Sequence, residues 1–218
     1  MFTEDTSVRA VVSQGLDTSS PVSASVANSA FSSGYKFLIR YYTRAPGSAK
    51  LLTKAEAQAI SNAGLYVNII YQDANNYYGA FNTQNGIDDA TWAYHYAKNT
   101  INQPKGTPIY FAVDYDATSA QISGGIQDYF RAVCSTIISL GSSNNYGFQV
   151  GVYGSGNVCS QMLVSGISTR WLAGATGWGG SSTYTGWDIK QLASTVTIGG
   201  IPFDQNESKL TYGGGWRY

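Results

Sequence analysis

The feature that most constrains this chain is a rhythm. Strand-like apolar segments alternate with helix-like segments along most of its length, and then the helices drop out. "RAVVSQGLD" reads as a first strand ending at Asp17, and Ser20-Pro21 is expected to open the next helix, with serine as N-cap and proline in the first turn. "YKFLIRYY" is a second strand; Thr53-Lys-Ala-Glu56 is a capping box opening the second helix, and Gly64 stops it. "LYVNIIYQ" follows, and Asp88 or Asp89 is expected to open a third helix through "ATWAYHYAKNTI". "TPIYFAVD" precedes a long helix that starts at Thr118 or Ser119. "QVGVYG" precedes a short helix that starts at Ser155 and ends near Gly166. "RWLAGA", "WDIKQLA" and "GGIPFD" are then three strands joined by Gly/Ser-rich links too short for full helices.

Such alternation argues for a parallel sheet, and eight strands argue for closure. The expected fold class is therefore α/β: a single TIM-like barrel, five βα units followed by three strands with little helix, as one domain over residues 1–218. An open doubly wound sheet is the alternative. Its usual mark is a Gly-rich phosphate loop after the first strand, but "GLDTSSPVS" stands there, with no G-x-G-x-x-G and no Walker-type lysine.

Composition narrows the function classes. Charged residues are 12% and the formal net charge is zero, so a nucleic-acid partner has little electrostatic support. No apolar run approaches the roughly 18 residues of a membrane span. A neutral surface rich in Gly, Ser, Asn and 17 Tyr accords with secreted carbohydrate-active proteins. The opening "MFTEDTSVRAVV" lacks a charged region followed by an apolar one, so a secretory signal is expected to be absent from this sequence. Cys134 and Cys159 fall in helices after neighbouring strands, which makes a disulfide feasible, with two buried free thiols as the alternative. Asn206-Glu207-Ser208 matches a glycosylation acceptor, a triplet that also arises by chance.

In a parallel barrel the functional residues gather where strands end. Strand ends carry Asp17, Arg40, Tyr41, Tyr71, Gln72, Asp73, Asp114, Asp116, Tyr153, Trp178, Gln191 and Asp204. Some strand-end aspartates only cap the following turn. Asp114 and Asp116, however, stand two apart in "YFAVDYD", which on a strand puts both carboxyls on one face, roughly 6.6 Å apart at Cα. Two carboxylates in one partly desolvated site push each other's pKa values apart, which suits acid–base cleavage of a glycosidic bond. Tyr41, Tyr42, Tyr71, Tyr153 and Trp178 would stack on sugar faces, Gln72, Asn68 and Gln191 would bind hydroxyl or acetamido groups, and Arg40 would be an electrostatic anchor or the partner of a nearby aspartate. The single histidine, His95, sits mid-helix, so a zinc site is not expected. A metal-dependent D-x-D sugar transferase remains a third reading.

At this point the chain resembles a known group. "GLDTS", the D-x-acid motif of strand four, "VYGS", "RWLAGA", "WDIKQLAS" and "IPFDQN" come in the order seen in glycoside hydrolase family 25 lysozymes. Segments like "GLDT", "RYY" and "YFAVDYD" resemble more closely a sister group of glycoside-hydrolase-like domains of unknown function. The resemblance spans roughly residues 12 to 207. It implies acidic positions at Asp17, Asp114, Asp116 and Asp204, with Asp116 where the lysozymes have a glutamate proton donor, one methylene longer. It also implies that the substrate's acetamido group could act as nucleophile, oriented by Asp114 or Asp204. The expectation is a secreted, monomeric, cofactor-free hydrolase of β-1,4 bonds in bacterial peptidoglycan, with Asp116 as the general acid, Asp114 as its charged partner, and Asp17 and Asp204 completing the acidic floor. The alternatives are a non-catalytic wall-glycan-binding barrel, or a hydrolase of another wall polysaccharide such as chitin.

Overall fold

The structure, a computed structural model, describes residues 10–218. The expectations for the first nine residues, the missing leader pattern among them, lie outside it. Eight strands close into one barrel in chain order: β1 (Ser13–Asp17), β2 (Phe37–Tyr42), β3 (Tyr66–Tyr71), β4 (Pro108–Ala112), β5 (Gln149–Gly154), β6 (Ile167–Leu172), β7 (Ile189–Ile198) and β8 (Ile201–Ser208). Helices α1 (Ala24–Ser32), α2 (Lys54–Asn62), α3 (Thr83–His95), α4 (Ser119–Gln121) with α5 (Gln127–Asn144), and α6 (Gly156–Gln161) follow the first five strands. The five-unit rhythm is therefore the observed one.

The barrel is mixed rather than wholly parallel. β1 to β7 run the same way, but β8 is antiparallel to both β7 and β1. Gly199 and Gly200, at φ 58° and 80°, turn the chain tightly between paired Ile198 and Ile201. Positive φ at both central residues is the demand of a two-residue hairpin turn, and glycine meets it without strain. The reversal places the first half of β8 at the mouth, so that Asp204 pairs with Asp17, the last residue of β1.

Local signals account for most helix boundaries. Thr53 caps α2, Ser155 caps α6, and Thr118 with Gln121 forms a complete capping box. Two starts differ from expectation. α1 begins at Ala24 on the Ser23 cap, and α3 begins at Thr83 because the Asn82 side chain accepts from Asn85 N, well before Asp88 and Asp89.

The sheet separates two apolar layers. Phe37, Ile39, Ile70, Tyr110, Trp171 and Ile189 fill the barrel, while Leu16, Leu38, Ile69, Val152 and their neighbours pack under the helices. Gly15 leaves the interior space that the Phe37 ring takes; a Cβ there would lie 2.3 Å from it. The C-terminal segment covers the far end, with Trp216 bridged to Val67 and Tyr212 stacked on Tyr66.

Period-two alternation decides which strand-end residues reach the mouth. On β2, Phe37, Ile39 and Tyr41 point inward, so Arg40 points outward. Arg40 is fully buried against the helix layer, where its Nε donates to Glu56 Oε1 at 2.6 Å and its Nη1 to Thr18 O at 2.6 Å. It is no anchor for a ligand, and its partner is a glutamate rather than an aspartate. Glu56 thus spends its side chain on Arg40 and on Val22 N, leaving only the threonine half of the expected capping box. Tyr71 likewise points outward and gives its hydroxyl proton to Asp89 at 2.8 Å. Asp89 also accepts from Tyr129 and pairs with Arg44, each at 2.8 Å.

Arg40→Leu strands the Glu56 carboxylate in the helix layer and is expected to cost about 3–5 kcal/mol in urea unfolding. Glu56→Gln, which keeps an acceptor for Arg40, is expected to cost less.

Candidate active site

The mouth holds a cleft of about 410 Å³. Its walls come from residues that continue the inward parity of their strands: Tyr41 on β2, Ile70 on β3 and Gln72 just beyond it, Asp114 beyond β4, Tyr153 on β5, Trp171 on β6, Gln191 on β7 and Asp204 on β8. Ser19 and Lys50 complete the lining from loops. A larger groove of about 600 Å³ lies along α3 beside Trp92 and His95, and Asp17, Asp114 and Asp204 do not line it.

Asp17 sits beneath the cleft floor, 1% exposed. Its Oδ2 accepts from Asn206 Nδ2 at 2.7 Å and from Gln191 Nε2 at 3.0 Å, and its Oδ1 accepts from Tyr41 OH at 3.4 Å. Burial pushes its carboxyl up to about 7; the Asp204 charge adds to this, and the three donors oppose it. Gln191 is the hub above it. Its amide nitrogen donates to Asp17 and, at 3.3 Å, to Asp204, while its oxygen accepts from Tyr153 OH at 3.1 Å and Gly174 N at 3.0 Å. Asp17 therefore orients the floor rather than touching a ligand. Burial also raises Asp204.

Asp114 and Asp116 part company. β4 ends at Ala112, and the chain beyond leaves the strand, with Asp114 N bonded to Asn75 O and Ala117 N to Tyr115 O. Asp114 keeps the inward direction of Tyr110 and Ala112, lines the cleft, and accepts from Gln72 Nε2 at 2.6 Å. Burial raises its carboxyl, opposed by the Gln72 bond and the Lys50 charge. Asp116 is exposed, and its Oδ1 accepts from Gly179 N at 2.8 Å on the loop between β6 and β7. The expected same-face pair is therefore not formed, because both residues lie past the end of the strand. The phenols of Tyr41 and Tyr153 lie within electrostatic reach of Asp17, Asp114 and Asp204 together; burial raises both, and all three charges add to it.

Tyr42 points outward and donates to Gln103 Oε1 at 2.9 Å, and Asn68 lies toward the far end of the barrel, where its Nδ2 donates to Tyr212 O at 3.4 Å, so neither lines the cleft. Trp178, on the β6–β7 loop, is half-buried against the barrel-interior cluster. Asp73 accepts from Thr43 Oγ1 at 2.7 Å and is a loop-holding residue. Asn206, buried on β8, holds Asp17 and Trp171 Nε1, so it is no surface glycosylation acceptor. Cys134 and Cys159 are both free and buried. The Cys159 thiol faces the Gly154 and Trp171 carbonyls, and Cys134 packs beside Gly166, so the two cysteines are the buried free thiols and the feasible bridge is not made. Sequence reasoning missed Lys50, Ser19 and Asn206. Asn206 has the right parity with Asp204 on one strand, a signal that was available; Lys50 and Ser19 are loop residues without one.

A family model described as the Rv2525c-like, glycoside hydrolase-like domain matches residues 29–215. The FadG protein of Bacillus subtilis strain 168 is 33% identical over 191 residues, covering 84% of this chain and 32% of FadG, so the chain spans about a third of that relative's length. The Mycobacterium tuberculosis Tat-secreted protein Rv2525c, solved with L-tartrate, superposes with a TM-score of 0.72 at 22% identity, covering 91% of this chain and 96% of that one. A bacterial lysozyme from Streptomyces coelicolor superposes with a TM-score of 0.60 at 16% identity, covering 91% and 93%. These two likenesses show a shared fold. Among the described residues, no helix is long and apolar enough to cross a membrane.

The raised Asp17 carboxyl sets a stability profile. Its proton is held more tightly in the folded chain than in the unfolded one. Its contribution is therefore complete below the ordinary value of 3.8 and is lost as pH rises to about 7. Across that window the loss is at most about 4 kcal/mol. Asp17→Asn can keep the Asn206 and Gln191 bonds through its oxygen, while the Tyr41 hydroxyl turns to accept from its amide. Melting temperatures from pH 4 to 8 are expected to fall for the natural chain more steeply than for Asp17→Asn.

Proposed function

The chain belongs to the Rv2525c-like, glycoside hydrolase-like domain family, and from that premise we propose that it hydrolyses β-1,4 glycosidic bonds of bacterial cell-wall peptidoglycan, outside the cytoplasm, with Asp114 as its acid. The observation that carries this reading is the half-buried Asp114 carboxyl at the cleft wall, raised by burial, in a cleft that also presents Asp204. A raised carboxyl keeps its proton closer to neutral pH, the requirement for a general acid.

Protonated Asp114 gives its proton to the glycosidic oxygen as the bond from that oxygen to the anomeric carbon breaks. The Asp204 carboxylate faces the positive charge that develops on the sugar. Water then adds to the anomeric carbon, and its released proton returns to Asp114. One bond is cleaved, one water is consumed, and the acid is restored. Tyr41 and Tyr153 supply ring faces and hydroxyls to the sugars, and Gln191 holds Tyr153 in place.

A second reading, glycan binding without cleavage, is favoured by one observation. Asp116, at the position of the lysozyme proton donor, is exposed and bonded to Gly179 N rather than lining the cleft.

Release of reducing ends from insoluble peptidoglycan, with chitin in parallel, separates the readings. Asp114→Asn is expected to lower the rate at least about 100-fold with the fold intact, and Asp116→Asn to keep most of it. Undiminished cleavage by Asp114→Asn would remove Asp114 from the role of acid. Binding to either polymer with no reducing ends from the natural chain would favour the non-catalytic barrel.

A further inference from the structure

Lys50 belongs to no strand, no helix and no motif read from the sequence, yet it lines the cleft. Its ammonium donates to Gln72 Oε1 and lies 4.5 Å from the centre of the Tyr41 ring. Gln72 Nε2 in turn donates to Asp114 Oδ2 at 2.6 Å. We propose that Lys50 is a positioning residue for Asp114 that acts through Gln72, fixing which end of the glutamine amide faces the acid. The inference rests on the reading of Asp114 as the acid of the cleft.

A glutamine amide has an oxygen that only accepts and an NH₂ that only donates. A lysine ammonium has donors alone, and an ionised carboxylate has acceptors alone. With Lys50 on one side and Asp114 on the other, a single amide orientation satisfies both ends. The flipped orientation would set NH₂ against ammonium and oxygen against carboxylate. Without Lys50 the flip costs only the Asp114 bond.

All the residues of this relay are anchored through their backbones. The loop bearing Lys50 is tied to β2 by Leu52 N to Tyr41 O, and Lys50 N bonds Ser48 Oγ. Gln72 N bonds Tyr42 O, and Asp114 N bonds Asn75 O. The side chains therefore meet on a fixed frame. The charged and titratable groups around Asp114 are Lys50 from the β2–α2 loop, Tyr41 from β2 and Tyr153 from β5. Asp204 on β8 and Asp17 on β1 act on the same two tyrosines, while Asp73 beyond β3 and Arg40 on β2 act on Lys50. Lys50 is the cation that acts on Asp114 itself.

The test is the titration of the Asp114 carboxyl carbon by NMR in the full chain labelled at aspartate. The natural chain is compared with Lys50→Met, Gln72→Met and the double substitution. Lys50→Met keeps the apolar stem over Tyr41 and removes the donors, with Lys50→Leu as a second variant should it not fold. Lys50→Met is expected to raise the Asp114 pKa by about one unit, and in the Gln72→Met background by less than about half of that. Lys50→Arg, which keeps charge and donors, is expected to restore the natural value. Equal shifts in the two backgrounds would overturn the proposal, since the lysine would then act through space by charge alone; so would no shift at all. The readout needs no substrate, so it stands or falls separately from the cleavage of any glycan.

Discussion

A carboxylate buried at the closing seam of the barrel organises everything above it. Asp17 ends β1, and β8 lies beside it in the reverse direction, so Asn206 from β8, Gln191 from β7 and Tyr41 from β2 all reach one side chain. Burying a carboxyl is costly unless donors surround it, and these donors come from strands far apart in sequence. Satisfying Asp17 therefore fixes the rotamers of Tyr41 and Gln191. Gln191 then fixes Tyr153 and reaches Asp204. The floor of the cleft is a consequence of how the barrel shuts.

The two sides of the mouth are built differently. On the seam side, strand residues carry the polar groups and their orientation follows from sheet register. On the far side, Asp114 has already left β4, and loops hold it: Asn75 by its backbone, Gln72 by its side chain, and Lys50 behind Gln72. Burial lifts both Asp114 and Asp204, and at Asp114 the Gln72 bond and the Lys50 charge oppose part of that rise. The two acids of the cleft therefore sit in different surroundings, one held by loops and one by strand register.

Much of this was legible in the sequence, for reasons that can be named. The βα rhythm gave the barrel, and caps such as Thr118 and Ser155 carry their own chemistry within a few residues. Strand direction does not show in periodicity, which is why the reversal of β8 was missed. The pair Gly199-Gly200 between two apolar runs was nevertheless the signature of a tight hairpin. Arg40 and Tyr71 were misplaced because strand ends were read without parity: their neighbours Tyr41 and Gln72 take the inward positions, so these two cannot. The aspartate pair was misread for the opposite reason, since strand geometry was extended to Asp116, four residues past Ala112, where β4 ends. Lys50 was invisible because a loop lysine carries no pattern; only the fold brings it to Gln72.

The most direct measurement is a crystal structure of Asp114→Asn soaked with an uncleaved peptidoglycan oligosaccharide. The account predicts a glycosidic oxygen within about 3 Å of the side chain at position 114, with sugar rings against Tyr41 and Tyr153. A glycan seated along α3 beside Trp92, or one whose linkage lies against Asp116 and away from the cleft, would contradict it.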